Sequence, residues 1–496
     1  IGVRLVGSEM CIRDSSNAMT ISSTINGTGS VYQIGSGTTT LTADNSYIGL
    51  TTVSGGTLQI GNASSTGSLG NTTGVTLSNN ANLVFNKSVS TTIDKNVSGN
   101  GNIKTNITGD LALTSSINLT GSNTINLVAS GSVTENASSS LTATNLYIAA
   151  TNGSIGTSTN RISSNVTNLA MTSAGNQFVT QANAVNFAAK TTGTGNIDLQ
   201  TTNGTLTVAS VNGINGITTT GSSGDISLVG NASSGRGISI NQVITATNGN
   251  INLKGTTSST TNLDAGIFST NAVTGNNITM TASATAATGN VLGYYGGGGT
   301  FNASQQLNLT GSSINANGLY TYTGAYTSGT GMTLTGTSVN GSGVGIEKQV
   351  SVTNRNSGGI TITGTANTGF DAIELSGALI NNSGGDVVFN ATNGNITTSV
   401  GNYSAWSTSP QTNTITNNGT GKVQITAGNS SATSSANIDG TVLSIIQNTN
   451  AGVVISTSGV GNLTAPKINN NGTGDIVLGA GTTIAAGIGT GGQVLT

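Results

Sequence analysis

A small unit recurs through most of this chain: an apolar residue, one intervening residue and a second apolar residue, set among Gly, Asn, Asp, Ser and Thr. It begins at Ile125/Leu127 and returns at Leu146/Ile148, Leu169/Met171, Ile197/Leu199 and onward through Ile360/Ile362, Val387/Phe389 and Ile476/Leu478. From position 125 to 476 there are 351 residues in 13 intervals, a mean of 27. A period between about 20 and 50 residues marks an architecture of stacked repeats rather than a globule. The i, i+2 spacing turns both apolar side chains to one face of a short strand and the intervening one to the other. Helix is disfavoured, since Thr, Val, Ile, Asn, Ser and Gly are weak helix formers and no 3.6-residue stripe emerges.

Pairs such as Ser-Gly and Asn-Gly punctuate each unit, as in SGGD at 383–386 and NGN at 393–395. These residues tolerate the positive φ that tight corners require. One coil of three short strands cannot bury its inner face alone, but coils stacked on one another bury it continuously. At about 4.8 Å per rung, 14 such units span roughly 65 Å. The expected fold is therefore all-β, a right-handed parallel β-helix with coils of about 20–30 residues. A β-sandwich array would need longer strands and more aromatic core than 3% aromatic residues supply.

Composition narrows the chemistry. Charged residues are 6% of the chain, the formal net charge is −2, histidine is absent and Cys11 is the one cysteine. No His base or ligand, no Ser-His-Asp or Cys-His pair and no intrachain disulfide is available. Near-neutral charge gives no electrostatic footprint for nucleic acid. No apolar run of 18 residues is present to span a bilayer as a helix. No cofactor motif emerges either: GSGVG at 341–345 is the kind of string that 74 glycines generate by chance, GxxxxGK[ST] is absent, and so are EF-hand spacing and a GGxGxD array. A chain that uses neither Cys nor His fits an oxidising, extracellular setting.

Residues 1–18, IGVRLVGSEMCIRDSSNA, stand outside the pattern and lack the apolar core and cleavage site of a secretory signal. They are read as a non-native leader. Residues 19–110 form an N-terminal β-helix segment, and 111–496 carry the irregular repeats. The chain stops at GQVLT with a strand pattern still running, so a fragment of a larger exoprotein is expected.

Within 35–88, the core LTADNSYIGLTTVSGGTLQIG, a small-residue linker and the tail VTLSNNANLVFN closely resemble the autotransporter-associated β-strand repeat of bacterial passenger domains. Units such as GNINLKG (249–255) and GGDVVFNATNGNITTS (384–399) resemble the degenerate repeats of filamentous-haemagglutinin-type exoproteins exported by two-partner secretion. Both resemblances imply a parallel β-helix on the outside of a Gram-negative-type cell, an outer-membrane translocator as export partner, and a glycan or protein on a host or neighbouring cell as the surface contacted. Either export route fits. The function implied is a structural or adhesive stalk without catalysis.

Two constellations bear on that expectation. Some parallel β-helices act on polysaccharides, and Asp371 with Glu374 in FDAIEL is the close carboxylate pair inside the repeats. Their three-residue offset predicts opposite faces of one strand, which works against paired acid/base chemistry. Asp198, Asp225, Asp386 and Asp475 read as solvated or turn-stabilising. The other island is aromatic: Tyr294, Tyr295, Phe301, Tyr320, Tyr322 and Tyr326 fall within 33 residues, followed by Tyr403 and Trp406. Tyr294, Tyr295, Tyr320, Tyr322 and Trp406 are the candidates for glycan or partner contact; the alternative is that such rings fill a wider coil. Finally, the middle residues of the doublets drift to Val388, Val454 and Val477, which predicts a covered outer face near the C-terminus.

Overall fold

The computed structural model describes residues 3–6, 9–12, 16–221, 223–347, 350–367, 369–399, 412–428, 437–457, 461–464, 466–479, 484–485 and 494–495. Among the described residues every regular element is a strand, and nearly all strand pairs are parallel. Parallel pairing between successive short strands, each coil registered on the next, is the topology of a parallel β-helix. Contacts divide the chain into two compact units, Ile1–Thr202 with Ala209–Ser227, and Asn203–Val208 with Leu228–Thr496.

In the first unit the coils are short and even. Val75 pairs with Val97, Val97 with Ile117 and Ile117 with Leu141, so one column of the solenoid advances by 20 to 24 residues per rung. The passenger-like stretch is one coil and the start of the next: Val31–Gln33 lies parallel to Thr51–Val53, and Thr38–Leu41 to Thr57–Ser64. Its tail forms the rung above, with Val75–Leu77 on Thr51–Val53 and Asn82–Lys87 on Thr57–Ser64. The ADNSY corner ties three rungs together. Asn45 Oδ1 accepts from Ile25 N at 2.8 Å, Asn45 Nδ2 donates to Ser68 O at 2.6 Å, and the buried Tyr47 hydroxyl shares a 2.8 Å hydrogen bond with Thr51 Oγ1. Residues 1–18 contribute a hairpin, Val3–Val6 against Glu9–Ile12, and the latter strand runs parallel to Val31–Gln33.

In the second unit coils of three strands recur, although Leu292–Ala303 and Leu319–Ser328 each run through two sides of their coil as one strand. One coil is Val344–Glu347, Ser351–Asn354 and Ile360–Thr365; the next is Asp371–Ser376, Leu379–Asn382 and Val387–Thr392. Each strand of the first coil pairs in parallel with its counterpart in the second. From Ile251/Leu253 the doublets stack in one unbroken column through Ile278, Leu307, Met332, Ile360, Val387, Val423, Val453 and Ile476. Every residue of the 14 doublets is buried, Met332 being the most exposed at 3%. Burial of that kind contributes about 1.5–3 kcal/mol per large aliphatic side chain, an upper estimate for any real denatured state.

The doublets do not form one column throughout. Leu169/Met171 is followed on its own face by Phe187/Ala189, whereas Ile197/Leu199 lies over Gln177/Val179 on a different face. Linear spacing alone cannot distinguish the faces of a three-sided coil, because every face presents the same i, i+2 pattern.

One inward column of the second unit is polar. Ser328 Oγ donates to Asn354 Oδ1 at 3.0 Å, Asn354 Nδ2 to Asn382 Oδ1 at 2.9 Å, and Asn382 Nδ2 to Asn417 Oδ1 at 2.9 Å. A primary amide carries donor and acceptor at opposite corners, so a stack of identical side chains one rung apart satisfies itself without water.

The outer face differs from expectation at both ends. Val477 is 36% exposed, and no described segment covers it. The covered position is Ala170 in the first unit, where the antiparallel hairpin Ser210–Val211 and Ile214–Asn215 packs Val211 and Ile214 against Ala170, Ala188 and Tyr147. The valine drift marks an outer strand face rich in β-branched residues, which suits a pleated surface whether or not it is covered.

Candidate functional site

The aromatic island resolves into two stacks built from the same strands. Along Leu292–Ala303 and Leu319–Ser328 the side chains alternate, so neighbouring tyrosines part company. Tyr294, Phe301 and Tyr326 point inward and are fully buried. Phe301 stacks on Tyr326 at 5.7 Å between centroids with planes 10° apart, and meets Tyr294 edge-on at 5.9 Å. The hydroxyls of Tyr294 and Tyr326 share a 3.0 Å hydrogen bond. Burial pushes both phenols well above their usual range. Gly296 makes this possible, because a Cβ there would lie 2.3 Å from the Tyr326 hydroxyl oxygen. Tyr294 was expected among the contact residues; its complete burial corrects that placement, since a ring closed inside the coil has no face to offer a partner.

The second stack is outside. Phe268, Tyr295 and Tyr320 occupy one register position on three successive rungs and pack, half-buried, on Ala265, Leu292 and Ala316. Their centroids are 5.2 Å and 5.7 Å apart, and Tyr322 extends the series at 6.2 Å from Tyr320. Phe268 was missed in the sequence because it stands alone in its own repeat; only register places it beneath Tyr295. At the Phe268 end the Arg236 guanidinium lies 3.6 Å from the ring centroid. Desolvation lowers that guanidinium's pKa, against the opposing pull of Asp264 and Tyr295. Trp406, like Tyr403, lies outside the described residues.

At the other end the column meets carboxylates. The register runs from Tyr320 to Gly345 to Glu374. A Cβ on Gly345 would fall 2.9 Å from the Tyr320 ring, so the glycine lets that ring lean along the column toward Glu374. Burial raises the Tyr320 hydroxyl's pKa, with Glu347, its hydrogen-bond partner, adding to the shift. Glu374 accepts from Ser342 Oγ at 3.2 Å; burial, then Glu347 and Asp371, holds its carboxyl above the usual range.

Asp371 and Glu374 were expected on opposite faces. Pairing of Asp371–Ser376 with Asn395–Ser399 slips by one residue between Asp371 and Ile373. Ala372 and Ile373 are both buried, while Asp371 and Glu374 are both partly exposed on the outer face. A bulge of one residue inverts the parity of all that follows it, and period-two reading has no signal for it. Asp371 itself accepts from Thr397 Oγ1 at 2.9 Å. Two of the remaining carboxylates hold surface positions: Asp198 pairs with Arg161 at 2.9 Å, and Asp386 accepts from Lys422 N at 2.7 Å. Among the described residues no group of three or more His, Cys, Asp or Glu is placed to hold a metal ion, and no helix is long and apolar enough to cross a membrane.

In the first unit a cleft of about 390 Å³ opens beside the passenger-like coil, lined by Asp44, Ser68, Lys87, Ser90 and Lys95 among others. Its central groups are engaged in holding the 61–74 connection: Lys87 Nζ donates to Gly67 O at 2.7 Å and Asp44 accepts from Gly67 N at 2.9 Å. Residues 32–60 match the family model of the passenger-associated-transport-repeat. This passenger-type repeat thus coincides with the coil pair Val31–Gln33 to Thr57–Ser64. No curated protein and no solved structure matches the chain.

Proposed function

We propose that this chain is part of the passenger of an autotransporter-type exoprotein, a parallel β-helical stalk displayed outside a Gram-negative-type cell that makes surface contact and carries no catalysis. The observation that carries this reading is the passenger-type repeat at 32–60, seated as one rung in a stack of parallel coils. Stacked rungs suit a stalk because each coil is stabilised by its neighbours and the array lengthens without a new core. An outer-membrane translocator is the partner in export, and a glycan or protein on a host or neighbouring cell is the partner in contact. Joined to a passenger translocator barrel, the chain is expected to be cleaved by protease added to intact cells; protection until the cells are lysed overturns the reading.

A second reading, a β-helical carbohydrate-active enzyme, is favoured by one observation: the bulge at Ala372 sets Asp371 and Glu374 on one outer face near Tyr320. It requires new reducing ends or unsaturated product from a glycan panel, lost in Asp371→Ala or Glu374→Ala; absence of product from every glycan removes it.

A further inference from the structure

We infer that the outer column Phe268–Tyr295–Tyr320, with Glu347, Glu374 and Asp371 beyond it, is a binding strip for an amine-bearing glycan, the sugars stacking on the tyrosines and their ammonium groups meeting the carboxylates. The rings come first in the argument. Three aromatic side chains sit at the same register position on successive rungs, partly exposed, with centroids 5.2 Å and 5.7 Å apart. A pyranose has a C–H-rich apolar face and a rim of hydroxyls, so it packs against an aromatic face while keeping its polar edge in water. The strip is narrow: its neighbours along the strands are Gly266, Thr270, Gly293, Gly297 and Gly318, with Tyr322 widening it at the Tyr320 end. A stable protein partner would need about 800 Å² buried on each side, several times what three half-covered rings expose. A single sugar chain needs no more than such a ribbon.

The charges select among glycans. Arg236 caps the Phe268 end, and three carboxylates stand at the Tyr320 end. No Lys or Arg among the described residues forms an ion pair with Asp371, Glu347 or Glu374; the ion pairs are Lys95–Asp94 and Arg161–Asp198. Glu347 and Asp371 add to the burial that raises the proton affinity of Glu374, so a cation placed beside that carboxyl is favoured, and a ligand ammonium supplies one. Uronate or sulfate groups meet repulsion at the same place.

This goes beyond the stalk reading and does not depend on it: binding is measured on the intact chain in solution, display on cells. The probes are a glucosamine hexamer, its N-acetylated counterpart and a galacturonate hexamer, titrated calorimetrically at pH 6 and low salt. The glucosamine hexamer is expected to bind, the acetylated form at least fivefold more weakly, and the galacturonate hexamer not at all. Tyr295→Ala and Tyr320→Ala should each weaken binding tenfold or more, and Glu374→Gln should remove the preference for the free amine while the strand circular dichroism is unchanged. Thr361→Ala, on another outer face, should change nothing. No binding of the glucosamine hexamer, equal affinity for the acetylated or acidic hexamer, or binding unaffected by Tyr295→Ala and Glu374→Gln overturns the inference.

Discussion

Tyr294 and Tyr295 are adjacent in sequence and belong to different structures. One is sealed against Phe301 and Tyr326 inside the coil; the other lies on the outside between Phe268 and Tyr320. Both stacks draw on the strands Leu292–Ala303 and Leu319–Ser328, the outer one also on Ala265–Ser269, with similar centroid spacings, yet the inner one is closed to water and the outer one is partly exposed. Strand parity decides membership, and solvent then separates the two: a sealed packing unit inside and a partly exposed row outside.

Mutations should separate the two by size of effect. Phe301→Ala empties a fully buried site between two rings and is expected to cost about 3–5 kcal/mol in chemical denaturation; a loss no greater than that of an outer ring would break the distinction. A charge at an inward position offers the next test. Glu135 in the first unit is 5% exposed, accepts from Ser163 N and leaves Oε1 without a partner, and burial pushes its pKa up to about 7 from 4.5. Because the folded pKa lies above the unfolded one, the folded state holds the proton more tightly. Stability is therefore favoured at low pH, falls as pH rises from about 4.5 to about 7, and is flat above that. The full loss is roughly 3 kcal/mol by proton linkage, and Glu135→Gln should abolish the slope and be the more stable form at pH 8. A pH-independent midpoint in the parent chain would show the inner face to be less dry than Tyr294 implies.

Tyr326→Phe removes one of the two hydrogen bonds of the buried Tyr294 hydroxyl, leaving it Ser269, and is expected to cost about 1 kcal/mol, whereas the outer Tyr320→Phe, whose site is reached by water, should cost less. Tyr295→Ala is likewise small, at about 0.5–1 kcal/mol of stability, because its ring gives up only partial packing on Leu292 and Ala265. An inner-sized loss there would make the outer stack a structural element and nothing more.

The inner column of doublets was legible because hydrophobic alternation is local: Ile251/Leu253 or Val387/Phe389 states its own orientation without reference to any other residue. The passenger-type repeat was legible for the same reason, since its corners ADN and SGG specify turns in place. The aromatic site was legible only in part. Tyr295 and Tyr320 stand out by their clustering, but Tyr294 stands in the same cluster with no local sign of its burial, Phe268 is alone in its repeat, and a three-residue offset sets Asp371 opposite Glu374. Each of those depends on something no local pattern carries: which residues stack across rungs, and where a bulge resets the count.

The sequence by itself determined the period, the strand character and the residues that must leave water, because those follow from side-chain chemistry within a few positions. Tertiary structure alone decided that Phe268 joins Tyr295, that Gly296 makes room for two phenols, and that Ala372 turns two carboxylates to one side. Register between rungs joins residues some 25 positions apart through backbone hydrogen bonds that are the same for every side chain, so only the stacked coil can say which side chains meet.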